Sequence, residues 1–312
     1  MPDVDVQRWF TTHTHRVDQF DAAELVAAKH GRRVSVLVPA RDEAATVGAI
    51  VTTLRTQLVE RLPLVDEIIV IDSHSTDGTA DIARAAGAKV FHVDEVLPHL
   101  GGRPGKGEAM WKALAVMSGD IGLYLDADVT EFTADFVTGL LGPLLVDDDL
   151  VFVKAFYDRP WASGAARSSG GGRVTELVAR PLILERVPQL SGFVQPLAGE
   201  CAFRVEALRS IPFVSDYGVD IGLMIDIERG HGLTAMAQVD LGLRRHRHQD
   251  LVALSAMTQH VRAAFDLRVD PDGPTLVEST AVVFARDGGA MHMTERTTTT
   301  VLRPPLDDVH ER

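Results

Sequence analysis

Two aspartates, Asp126 and Asp128, stand one residue apart where the apolar run GDIGLYL (119–125) ends. In an extended segment residues i and i+2 share a face, so both carboxylates address one ligand. Two like charges at the end of a buried strand repel each other unless a cation lies between them. Mg2+ or Mn2+ suits that place, because these ions take few carboxylates, complete their octahedron with water and phosphate, and neutralise a diphosphate. The plainer alternative is a solvated acidic turn, and D-x-D alone does not choose.

Other segments offer complementary chemistry. RPGKGEAMWKAL sets Lys106 between two glycines at a helix start, where glycine lets backbone N–H groups approach an anion and Lys gives a diphosphate a point charge. The spacing is not that of the G-x-x-x-x-G-K-[ST] phosphate loop. PARDE (39–43) places Asp42 and Glu43 in the first turn of a helix, near enough to bond a base or ribose, though acids also simply start helices there. In DSHSTDGT (72–79) Asp72 closes a strand, Ser75 or Thr76 caps the next helix and Gly78 eases the turn. GGGRVTEL (170–177) joins glycines to Arg173 and Thr175, a set suited to an acceptor with phosphate or carboxylate groups, or a plain loop before a helix. HRHQD carries His246 and His248; a returning histidine would complete the metal site begun by Asp128, although most lone histidines are structural or solvated.

These residues need a scaffold that collects them. From residue 33 the chain alternates strand and helix: RVSVLVPA, then TVGAIVTTLRTQL; DEIIVID, then GTADIARAAG with Gly87 as C-cap; AKVFHV, then GKGEAMWKALAVM; and a fourth strand, DIGLYLDAD. Val- and Ile-rich strands separated by helices of about three turns imply right-handed crossovers and a parallel sheet. Ligands of such sheets sit beyond the carboxyl ends of the strands. PARDE, DSHSTDGT and DAD all lie there, so one crevice can gather them.

The chain divides into an N-terminal arm (1–30), a first half (31–150), a mixed half of the same domain (151–270) and a tail (271–312). The tail's composition allows a β-rich arm, a dimer contact or partial disorder. The 312 residues are 46% hydrophobic and 24% charged, ample for a proper core. Lys plus Arg number 31 against 44 Asp plus Glu, a net charge of −13 that repels nucleic acid and anionic lipid. An anionic substrate must then be caught by local basic clusters: Arg103 with Lys106, Arg173 with Arg180, and Arg244, Arg245 and Arg247. The lone Cys201 excludes an internal disulfide, and no stretch is long and apolar enough to span a bilayer. A cytoplasmic protein with no nucleic-acid or membrane partner is the expectation.

Together VSVLVPARDEAATV, DEIIVIDSHSTDGTA, RPGKGEAMWKAL, GDIGLYLDADV, GGGRVTELVARPLI, QPLAGE and YGVDIGLMID resemble the actinobacterial glucosyl-3-phosphoglycerate synthases, whose close relatives use a mannosyl donor. The resemblance covers about residues 20 to 265. It implies a GT-A glycosyltransferase fold, α/β, with a mostly parallel Rossmann-like sheet flanked by helices and a mixed α/β acceptor-binding half. The implied reaction is retaining transfer of glucose from UDP-glucose to the 2-hydroxyl of 3-phospho-D-glycerate, with Mg2+ or Mn2+ as cofactor and a homodimer as assembly. A GDP-mannose donor, or a lipid or polysaccharide acceptor, is the alternative. By resemblance, Pro39, Ala40, Arg41, Glu43 and Ser73 surround uridine and ribose, Lys106 meets the diphosphate, and Asp126 and Ala127 face the nucleotide. Asp128 and His246 hold the metal, and Gly172, Arg173, Thr175, Asp220 and His248 serve the acceptor side. Leu197 borders the reacting centre through its backbone; Asp128, Lys106 and Leu197 are the implied catalytic set. The chain departs from the family pattern at Asp42, Asp220 and His248.

Overall fold

A computed structural model of the chain describes residues 5–160, 167–168, 172–244, 251–269 and 274–309. In chain order the strands are β1 (Thr14–Arg16), β2 (Val34–Ala40), β3 (Glu67–Asp72), β4 (Lys89–His92), β5 (Ile121–Tyr124) and β6 (Phe152–Pro160). Then come β7 (Arg167–Ser168), β8 (Cys201–Arg204), β9 (Phe213–Val214), β10 (Met236–Leu243), β11 (Leu276–Asp287) and β12 (Ala290–Arg303). The main sheet runs β1-β10-β6-β8-β5-β2-β3-β4, with β7 on β6. Pairing along that order is parallel except for the two pairings of β8. The mostly parallel α/β architecture expected from the strand–helix alternation is therefore present.

The parallel centre forms because its strands can be buried on both faces. Every residue of β3 is buried, and β2 sends Leu37 to one core while Val36 and Val38 enter the other. Helices Val47–Leu54, Thr79–Ala86, Lys106–Val116 and Asp135–Val146 cover the two faces. Gly87 ends the second of them at φ 108, the left-handed C-cap that glycine reaches without a Cβ penalty.

The structure refines two expectations and changes a third. The N-terminal arm is built into the body: β1 pairs with β10 as the edge of the main sheet, and the Trp9 indole donates to Met236 O at 2.9 Å. The tail is also stitched in. β11 and β12 form a long hairpin, β12 returns to pair antiparallel with β9, and Arg303 reaches the fully buried Glu108 at 2.6 Å. Finally, β5 stops at Tyr124, so Asp126 and Asp128 occupy the turn beyond it. Strand parity is not what brings them together. Among the described residues, no helix is long and apolar enough to cross a membrane.

Candidate functional site

Because β2, β3 and β5 run parallel, their carboxyl ends open on one side, where a cleft of about 1240 Å3 lies. Pro39, Ala40, Arg41, Glu43 and Ser73 line it from the ends of β2 and β3. Lys106 enters from the start of its helix, and Asp126, Ala127 and Asp128 from the turn after β5. Gly172, Arg173, Thr175, Leu197 and Asp220 line the same space from the second half. His246 and His248 lie outside the described residues. The Arg180 guanidinium pairs with Glu176 at 2.9 Å and donates to Val194 O.

A connected charge cluster forms the cleft floor. Lys106 Nζ lies 2.8 Å from Asp126 and 3.5 Å from Asp220, and Lys154 Nζ lies 3.2 Å from Asp220. Arg244 Nη2 bridges Asp126 at 3.0 Å and Asp128 at 2.7 Å, while its Nη1 meets Glu200 at 2.9 Å. The two aspartates thus converge on one point, and here a guanidinium nitrogen occupies it. Those oxygens are the hard donors that Mg2+ or Mn2+ takes, so the residues fit a divalent ion. Three cationic side chains face four carboxylates in this cluster. Adding a divalent cation would turn its balance positive and receptive to a diphosphate.

Protonation follows from these contacts. Burial would raise the Asp126 carboxyl, but Lys106 and Arg244 outweigh it and hold the group well below the usual carboxylate range. Burial works against the Lys106 ammonium, yet Asp126 and Asp220 push it well above its ordinary value. Glu200 shifts upward because it is fully enclosed, despite Arg244 pulling the other way. Both basic groups therefore stay charged at neutral pH.

The loops around the cleft behave differently from their local sequence reading. Asp42 and Glu43 precede the helix, which starts at Val47. Asp42, at φ 56, accepts from Thr76 N at 2.8 Å, and its own N–H donates to Ser75 Oγ at 2.9 Å. Ser75 and Thr76 thus clasp the two crevice walls together, and the cap position of the next helix falls to Gly78. The glycines flanking Lys106 also have a packing cause. A Cβ on Gly107 would overlap Val214 O, and one on Gly105 would meet Ser215 O, so the helix can lie against β9. Gly199 has the same kind of role, since a Cβ there would collide with the Lys106–Asp126 pair.

Sequence reasoning missed several cleft groups. Arg244 was visible only as one of three nearby arginines, and Glu200 only as the end of QPLAGE. Tyr157 donates to Glu200 at 3.0 Å and stacks with Arg244, whose guanidinium carbon lies 4.9 Å from the ring centroid. The available signal was a lysine inside the apolar run FVKAFY, since a buried charge demands a partner. The tail supplies another wall: Thr297, Thr298 and Thr299 of β12 line the cleft beside Asp216, Tyr217 and His260. There Asp216 Oδ2 lies 2.7 Å from His260 Nδ1 and accepts from Thr300 Oγ1 at 2.6 Å.

The family model "Glycosyl transferase family 2" matches residues 35–199. The glucosyl-3-phosphoglycerate synthase of Mycolicibacterium smegmatis is 44% identical over 98% of this chain and 99% of its own length. Among solved structures, mannosyl-3-phosphoglycerate synthase from Rubrobacter xylanophilus superposes with TM-score 0.89 at 39% identity, covering 98% of this chain and 100% of that one. Glucosyl-3-phosphoglycerate synthase from Mycobacterium tuberculosis, in complex with Mn2+, UDP and phosphoglyceric acid, gives TM-score 0.81 at 42% identity, covering 92% and 95%. The same mycobacterial enzyme is also known with Mg2+ and UDP, and with UDP-glucose in place of UDP.

Proposed function

The chain belongs to glycosyl transferase family 2 and, within it, to the glucosyl-3-phosphoglycerate synthases, and from that premise we propose the reaction and the residues that perform it. The protein is a metal-dependent glucosyltransferase that moves glucose from UDP-glucose to 3-phosphoglycerate. The observation that carries this reading is the convergence of Asp126, Asp128, Lys106 and Arg173 on one cleft.

Uridine and ribose rest against Pro39, Ala40, Arg41, Glu43 and Ser73. Asp126 and Ala127 face the nucleotide, and Asp128, with His246, holds Mg2+ or Mn2+, which supplies charge neutralisation for the departing diphosphate. Lys106 adds a fixed cation that needs no reorganisation as charge develops. Gly172, Arg173 and Thr175 hold the acceptor's phosphate and carboxylate, which gains rate by orientation. Asp220 and Leu197 border the sugar and the reacting centre, and His248 adds to the acceptor side. In domain terms, 31–150 is the nucleotide-sugar half and 151–270 the acceptor half. The arm and tail frame them.

The 2-hydroxyl of 3-phospho-D-glycerate is the attacking group, and transfer goes with retention. The support is that the nearby carboxylates are engaged: Glu200 is enclosed, Asp126 lies between Lys106 and Arg244, and Asp220 between Lys106 and Lys154. In front-face transfer the bond from the anomeric carbon to the phosphate oxygen breaks as the new glycosidic bond forms. The hydroxyl proton leaves on the UDP phosphate. Proton NMR of the product's anomeric centre would show an α-linkage; a β-linkage would exclude this course.

A donor-by-acceptor screen tests the reaction. UDP release should require UDP-glucose, 3-phosphoglycerate and a divalent ion together, and fall to background in EDTA. The Rubrobacter neighbour is a mannosyl-3-phosphoglycerate synthase, so GDP-mannose is the competing donor to run, and GDP release from it faster than UDP release from UDP-glucose would reassign the sugar. In the same assay, Arg173→Ala should raise the acceptor KM by about 10–100-fold, the loss of a charge-assisted hydrogen bond, with little change for UDP-glucose. Equal losses for both would remove Arg173 from the acceptor site.

The assembly we propose is a homodimer paired through the β11–β12 hairpin, which exposes Val282, Phe284, Met291 and Met293. Phe284→Glu should halve the mass seen by sedimentation, and an unchanged mass would rule the hairpin out. We place the reaction in the cytoplasm, which cell fractionation would check.

A further inference from the structure

At the carboxyl ends of β3 and β4, on the side of the cleft that Ser73 and His74 line, stands a second group of metal-ligating side chains. His74 Nε2 lies 2.8 Å from Asp94 Oδ2, and His92 Nδ1 lies 3.8 Å from the same oxygen. The two imidazoles meet edge to face, with ring centroids 4.9 Å apart. One donor atom from each of the three residues falls within 4.8 Å of the others. Tetrahedral ligands at about 2.0 Å from an ion sit about 3.3 Å apart. The partly exposed side chains therefore need only a small rotation to close on one ion.

Three local features bear on that closure. His92 Nδ1 accepts a long hydrogen bond from Asp94 N at 3.3 Å, a cap contact that its lone pair would exchange for an ion beside Asp94. The opposite ring nitrogen, Nε2, is 4.0 Å from Asp72 Oδ2, beyond hydrogen-bond reach until the ring turns, and Oδ1 of the same carboxylate is buried without a hydrogen-bond partner. A carboxylate behind a histidine is the usual means of orienting a metal-bound imidazole. His74 holds φ 62, an uncommon backbone state for a residue with a Cβ, and that state carries its ring over Asp94.

We propose that His74, His92 and Asp94 form a transition-metal site, of the Zn2+ class, separate from the carboxylates that serve the nucleotide diphosphate. Two imidazoles and one carboxylate select a borderline ion over Mg2+, which prefers an all-oxygen shell. Water completes the fourth position. A bound ion ties the turn carrying Ser73 to the end of β4, and so braces one wall of the cleft. This inference does not depend on the identity of the sugar or the acceptor.

Zn2+ binding to the full-length protein, measured by equilibrium dialysis in excess Mg2+ and UDP, tests it. The unmodified protein should retain one equivalent. His92→Ala and Asp94→Asn should each weaken retention at least tenfold, as should His74→Gly, whose glycine suits the left-handed backbone. Asp128→Asn should leave this equivalent in place, and hydrogen exchange over 73–76 and 92–95 should slow with Zn2+ only when His92 is present. No retained Zn2+ in the unmodified protein, or retention lost in Asp128→Asn but kept in His92→Ala, would overturn the proposal.

Discussion

Replacing Asp128 with Asn is expected to lower metal-dependent glucosyl transfer by about a thousandfold or more, with the protein still folded and still able to bind uridine. The substitution keeps the size of the side chain and removes its charge. Asp128 lies 2.7 Å from Arg244 Nη2 at the edge of the cluster, while Arg244 retains Asp126 and Glu200 as partners. Little folding energy is therefore at stake, and the chemical loss should dominate. About a thousandfold corresponds to about 4 kcal/mol of transition-state stabilisation, the scale on which a preorganised group opposite a developing charge acts. Single-turnover UDP release against Mg2+ concentration separates the possibilities. A rate that stays near the unmodified value, with an unshifted Mg2+ midpoint, would take the metal away from Asp128.

Much of this site could be read from the sequence because a parallel sheet does the collecting. PARDE, DSHSTDGT and DAD end three strands that are paired β5-β2-β3, so their polar ends must emerge together. That inference needs only strand identity and direction. What stayed hidden depends on contacts between distant segments. Arg244 meets Asp128 across 116 positions of chain, and no local period marks such a pairing. The antiparallel β8, inserted between β5 and β6, sets Glu200 beneath the cluster, yet CAFR looks like any short apolar strand. The tail was ambiguous for the same reason. Only the closure of β12 on β9 and of Arg303 on Glu108 makes it a wall of the cleft. Local reading also went astray where loops bind loops, as Asp42 does with Thr76, because Asp at a helix entrance ordinarily serves its own helix.

Arg244→Met should produce the largest loss of stability, about 3–5 kcal/mol, because it strips the counter-charge from Glu200, a carboxylate that cannot reach water. The guanidinium is 3% exposed as a side chain, and Glu200 is fully enclosed. Methionine fills similar volume, so the loss reports charge rather than a cavity. The pH dependence gives an independent sign. Burial already raises Glu200 above its ordinary value, and removing Arg244 raises it further. A carboxyl whose folded pKa lies above its unfolded one contributes stability that is complete at low pH and disappears as pH climbs through the folded value. The deficit of Arg244→Met against the unmodified protein should therefore shrink at about pH 5 and widen towards about pH 8, as followed by urea melts. Adding Glu200→Gln to Arg244→Met should recover part of the loss, since the stranded charge is then gone and the two changes cannot be additive. A pH-independent deficit with strict additivity would mean that Arg244 packs against Tyr157 without serving as the counter-ion of the cluster.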